Sequence, residues 1–159
     1  MLTLKLLFLL MVANGAPVLM KKALGGRGAW PVDGGALWRD GRPVLGPSKT
    51  WRGLAAAVAL SGGGALIVGW PVWLGAVFGG CAMLGDLFSS FLKRRLGLPS
   101  SAMALGLDQV PESLLPLLAV RGELGLGWGY VLWLALLFLV LELAFSRVLF
   151  ALHVRDRPY

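Results

Sequence analysis

Long apolar runs alternate with short polar, mostly basic segments along this chain, and that alternation sets the first expectations. Residues 2–19 are apolar apart from Thr3, Lys5 and Asn14. At about 1.5 Å per residue they cover most of a hydrocarbon core roughly 30 Å thick. They form the first predicted span. A cleaved leader is the alternative, because Lys5 precedes the apolar core and VANGA offers small residues near a cut site. Residues 54–69 and 72–92 read as a second and a third span, joined in a hairpin through GWPVW. Trp51, Trp70 and Trp73 stand at their ends, where indole rings favour the headgroup level. A fourth span is placed within residues 105–120. Asp108 and Glu112 interrupt it, and Pro111 suits a first helical turn. The fifth covers residues 128 to about 145.

Composition strengthens this reading. Of the 159 residues 57% are hydrophobic and only 14% charged, with a mean hydropathy of +0.76, far from the balance of a soluble domain. The expectation is an all-α, polytopic membrane protein, residues 1–159 forming one domain with a long cytoplasmic loop between the first two helices. A single cysteine, Cys81, within an apolar run excludes an intrachain disulfide framework and reads as a packed thiol. The net charge of +7 does not point to nucleic acid, because the bases lie between apolar spans rather than along one soluble face. Anionic lipid or a phosphorylated substrate fits better. Five spans place 13 of the 15 Lys and Arg residues on one side, leaving Lys5 and Arg121 on the other. The positive-inside rule then puts the N-terminus outside and the C-terminus in the cytoplasm. His153, in the arginine-bearing tail, reads as interfacial.

The chemistry concentrates at GDLFSSFLKRRLG, residues 85–97. An ionised aspartate facing lipid costs upwards of about 2.5 kcal/mol, so Asp86 is expected to face the bundle interior and to have a partner. Asp108 and Glu112, one helical turn apart, can share a face. Three carboxylates at the ends of neighbouring helices repel one another unless cations intervene, and hard oxygen ligands suit Mg²⁺. The alternatives are local ion pairs for Asp86, an N-cap role for Asp108, and a topogenic charge run for Lys93, Arg94 and Arg95. The loop stretch GPSKTWRG, residues 46–53, lacks the order of a Walker A motif, since Pro47 and Ser48 separate Gly46 from Lys49. Lys49, Thr50 and Arg52 nevertheless supply phosphate-binding groups, unless the cluster is only an interfacial anchor. Glycines at 62–64, 75, 79 and 80 suit close helix packing.

In order, NGAPV at 14–18, PVDGG at 31–35, LGPSKTWRG at 45–53, GDLFSSFLKRRLG at 85–97 and LDQVPE at 107–112 resemble the CDP-archaeol synthase family, which belongs with the phosphatidate cytidylyltransferases. The resemblance implies Mg²⁺-dependent transfer of a cytidylyl group from CTP to a membrane lipid phosphate, phosphatidate or an ether-lipid analogue, with release of pyrophosphate. It implies catalytic roles for Asp86, Asp108, Lys93 and Arg94, and metal binding by Asp86 and Asp108, with Glu112 as an imperfectly matched third ligand. Asn14, Asp33, Lys49, Thr50, Arg52, Ser90, Arg95 and Gln109 stand at the matching substrate-binding positions. Membrane lipids are the expected surroundings, and a homo-oligomer is left open. A non-catalytic membrane scaffold or channel subunit would explain the cations but leave Asp86 and Asp108 without a role.

Overall fold

Five helices follow one another in a computed structural model that describes residues 1–100 and 102–151: α1 (Leu2–Leu24), α2 (Trp51–Ile67), α3 (Val72–Arg95), α4 (Gln109–Ala119) and α5 (Trp128–Ala151). His153 lies outside the described residues. Among these residues only isolated bridges, Pro31 with Thr50 and Leu37 with Pro43, interrupt the all-helical character. Two helices, α1 and α3, are both long and apolar enough to cross a membrane.

Each boundary has a local cause. Thr50 adopts an extended conformation and its hydroxyl accepts from Gly53 N–H, capping α2. Gly69 turns the chain at φ 77° after α2, and Pro71, at φ −66°, leads into α3. Gly97, at φ 76°, ends α3: its N–H bonds the Arg94 carbonyl, and Leu98 N–H bonds that of Lys93.

Helices α2 and α3 form the expected hairpin, and glycine brings them together. A Cβ on Gly75 would sit 2.1 Å from the Ser61 carbonyl oxygen, and one on Gly79 2.6 Å from that of Ala57, so the backbones touch where side chains would separate them. The main core lies at the opposite end of the bundle from the Lys93–Arg95 run. There Leu6, Leu9 and Leu10 of α1 meet Leu74 and Phe78 of α3, Leu117 of α4 and Leu134 and Phe138 of α5, all fully or almost fully buried. The charges are sorted by end as well. Lys5 lies over Trp70 and Arg121 over Trp128 at the core end, while Lys21, Lys22 and Lys93–Arg95 occupy the last turns of α1 and α3.

Within the expected fourth span, residues 105–120, the helix is short. Helix α4 has 11 residues, about 16 Å, half of a hydrocarbon core. It begins beside Gly85, where a Cβ would lie 2.3 Å from the Pro111 carbonyl oxygen. Gly85 precedes Arg95 by ten residues of α3, so α4 starts about 15 Å along the bundle from its basic end. Among the described residues 97–100 and 102–108 the backbone is non-helical, and it leads along the bundle to the start of α4. Such backbone persists at depth only where protein satisfies it. Arg94 donates to the Pro99 carbonyl (2.8 Å) and Lys93 to that of Ala102 (3.0 Å), while Asp108 accepts from Ala104 N–H and the Gln109 amide oxygen from Gly106 N–H.

Candidate active site

Where the non-helical segment meets α3, a cavity of about 180 Å³ opens. Asn14 of α1, Lys49 from the end of the first loop, Asp86 and Lys93 of α3, and Asp108, Gln109 and Glu112 at the start of α4 line it. Seven of the residues singled out in the sequence thus converge from four segments of chain. Lys93 follows Asp86 by seven residues, two turns of helix, so both project from one face of α3. Asp108 and Glu112 reach the same space because α4 begins at the level of Gly85 rather than at a surface.

Two ion pairs organise the cavity. Lys49 Nζ donates to Asp86 Oδ1 at 2.6 Å, with both side chains largely buried. Lys93 Nζ stands 2.6 Å from Asp108 Oδ1, a second and more deeply buried ion pair. Asn14 Nδ2 donates to the Leu10 carbonyl while its buried Oδ1 is unpartnered. The Glu112 carboxyl lines the same cavity as Asp86. Burial opposes the charge on Lys49, but Asp86, with Glu112 and Asp108 behind it, outweighs burial and raises its pKa, so the ammonium persists at neutral pH.

The oxygen donors bear on a metal ion. Among the described residues no three His, Cys, Asp or Glu side chains are arranged to hold one, so the expected Asp86, Asp108 and Glu112 trio is not formed as a ligand set. Mg²⁺ commonly takes one or two carboxylates and completes its shell with water and phosphate oxygens. Asp86 and Asp108, each paired with one lysine, supply the two carboxylates of that smaller requirement.

Other expected site residues are placed elsewhere. Arg52 reaches back to the carbonyls of Gly25 and Arg27, closing the C-terminal end of α1. Arg95 pairs with Asp40 at 2.7 Å and lies against the rings of Trp38 and Phe91, which themselves meet edge to face. Asp33 accepts from the N–H groups of Gly35, Leu45 and Gly46 at 2.8–3.0 Å and so folds the first loop. Thr50 is a helix cap, and Ser90 is buried outside the cavity lining. Arg94, also buried, lines a neighbouring cavity of about 290 Å³ with Arg42, Gly46, Gly97 and Ser100. Arg52, Arg95, Asp33 and Thr50 are thus partnered by the loop and helix ends and do not line this cavity. Conversely, Glu142 and Ser146 of α5 line the cavity without having been singled out. The signal was present: Glu142 is the one acid in the apolar run of α5, and the argument applied to Asp86 applies to it equally.

A family model described as CarS-like, CDP-archaeol synthase, matches residues 1–159. The CDP-archaeol synthase of Hyperthermus butylicus is 40% identical over 149 residues, spanning 90% of this chain and 80% of that one. That of Thermococcus onnurineus is 42% identical over 115 residues, spanning 62% of this chain and 61% of that one. A solved structure, described as an intramembrane enzyme for archaeal membrane lipid biosynthesis, matches with a TM-score of 0.61 and 34% identity, covering 86% of this chain and 90% of that one.

Proposed function

Because the chain belongs to the CDP-archaeol synthase family, we propose that it transfers the cytidylyl group of CTP to the phosphate of an archaeal-type ether lipid and releases pyrophosphate. The observation that carries this reading is the convergence of two Lys–Asp pairs in one cavity within an apolar bundle, lined by Lys93 of its basic run. A phosphorylated lipid headgroup and a nucleotide triphosphate are both polyanions, and charged groups gathered inside an apolar bundle point to a functional site.

In this reading a lipid phosphate oxygen forms a bond to the α-phosphorus of CTP as the bond from that phosphorus to the β-phosphate oxygen breaks. A lipid phosphate is largely ionised at neutral pH, its second pKa being about 6, so no residue need act as a general base. Asp86 and Asp108 are the residues that would hold Mg²⁺, which supplies charge neutralisation at the triphosphate. Lys49 and Lys93 bind and orient phosphate oxygens through ammonium groups that already line the cavity. Gln109 and Asn14 bring neutral polar groups to the same wall. Helix packing around the cavity limits access of water, and the basic end of the bundle, taken as cytoplasmic, admits the nucleotide.

The test is incorporation of radiolabelled CTP into lipid by the purified protein with Mg²⁺, offered the ether-lipid phosphate and phosphatidate separately. Ether-lipid preference is expected, and Asp86→Asn and Asp108→Asn should each reduce transfer at least a hundredfold with folding retained. Wild-type turnover in either variant would remove the metal assignment, and no incorporation with any acceptor would remove the activity.

A further inference from the structure

Both aspartates assigned to the metal carry an internal cation. Lys49 covers Asp86 and Lys93 covers Asp108, each at 2.6 Å. A divalent ion bound to the same carboxylate oxygen would stand within a few ångströms of the ammonium, and like charges at that separation in a partly buried site repel strongly. The same ammonium groups are strong donors to phosphate oxygens. Both lysines have long flexible stems, and they arise from separate segments, the loop before α2 and the last turns of α3. Lys49 can change partner without moving a helix, and Lys93, which also donates to the Ala102 carbonyl at 3.0 Å, has further N–H groups on its ammonium to offer a phosphate.

We infer that Lys49 and Lys93 make this site selective for a metal that arrives with a triphosphate. Without nucleotide the ammonium groups hold the two carboxylates and keep a free divalent ion out. With nucleotide, phosphate oxygens take over the ammonium groups and at the same time supply the remaining ligands of the ion. Metal and nucleotide then bind with strong positive coupling, and by reciprocity each tightens the other by the same factor. This rests on the reading that Asp86 and Asp108 take the metal.

The coupling is measurable without turnover. Free Mn²⁺ is counted by electron paramagnetic resonance during titration of the full chain in detergent. The titration is run with and without a CTP analogue bearing a methylene bridge between the α- and β-phosphorus, and corrected for Mn²⁺ bound by the analogue alone. For the wild type, the analogue is expected to tighten Mn²⁺ binding at least tenfold, a comparison that depends on no variant. In Lys49→Met, which keeps the apolar stem, Mn²⁺ alone should bind at least tenfold tighter than in the wild type, with the coupling reduced. Lys93→Met should move the same way. Mn²⁺ that binds the wild type equally well with and without the analogue would overturn the inference while leaving the metal reading standing, provided Asp86→Asn abolishes that binding. So would a folded Lys49→Met protein with wild-type affinity for Mn²⁺ alone. Mn²⁺ binding that survives both Asp86→Asn and Asp108→Asn would overturn the metal reading, and this inference with it.

Discussion

Replacing Gly85 with alanine is expected to disable the site without substituting any residue that lines it. A Cβ at this position would lie 2.3 Å from the Pro111 carbonyl oxygen, 2.5 Å from its carbonyl carbon and 2.7 Å from the Glu112 nitrogen. All three are backbone atoms of the first turns of α4, so no side-chain rotation relieves the clash. Carbon contacts are comfortable from about 3.5 Å, so the start of α4 must retreat by roughly 1 Å. The retreat carries Asp108, Gln109 and Glu112 away from Lys93 and Asp86. Overpacking of this kind costs about 1–3 kcal/mol, partly offset by the roughly 0.5–1 kcal/mol that alanine gains over glycine within a helix. The catalytic loss is larger, since a displacement of about 1 Å at a reacting centre is worth on the order of a hundredfold in rate. Gly80→Ala on the same helix is the control, because its Cβ would meet only Val58 Cγ2 at 3.9 Å; neutral or slightly raised stability and full activity are expected. Cytidylyl transfer and thermal unfolding in detergent should be measured for both. A Gly85→Ala protein that melts and turns over like Gly80→Ala would refute the argument that α4 is docked by backbone contact at mid-depth.

Lys49→Ala should weaken CTP binding by about ten- to hundredfold, the worth of one charged hydrogen-bond partner, in a calorimetric titration. Arg52→Ala should leave CTP affinity within about twofold and instead lower thermal stability, because Arg52 holds the carbonyls that close α1; a large loss of affinity would return it to the nucleotide site. For Asp33, burial opposes ionisation, but the Gly46, Leu45 and Gly35 N–H groups outweigh it and lower the carboxyl pKa. Its contribution to the first loop is therefore complete above the unfolded carboxylate range, near pH 4, and is lost as the pH falls through the lowered folded value. Tryptophan fluorescence, with Trp30 and Trp38 in that loop, should show an acid transition that Asp33→Asn removes, and identical transitions would show that the carboxylate does not fold the loop.

The sequence by itself determined the helices and most of the chemistry. Apolar runs with capping or turning residues at their ends dictate α1, the α2–α3 hairpin and α5, because burial of backbone in an apolar medium leaves helix as the way to satisfy it. A carboxylate in such a run is costly enough that Asp86 had to face inward to a partner, and Lys49 of the first loop is that partner. Only the tertiary structure decided which of several eligible cations each carboxylate receives. Lys49, Arg52, Lys93, Arg94 and Arg95 look alike to a charge pattern. Yet Arg52 and Arg95 are drawn off by carbonyls and Asp40, across separations of 25 to 55 residues, and only the two lysines reach the aspartates. The half-length of α4 was equally illegible, since hydropathy summed along residues 105–120 does not distinguish a continuous helix from irregular backbone followed by 11 helical residues. Glu142 joins the cavity for the same reason: convergence at one depth depends on where α4 begins and how α5 packs beside it, and those are set by contacts such as Gly85 against Pro111 that have no local signature in the chain.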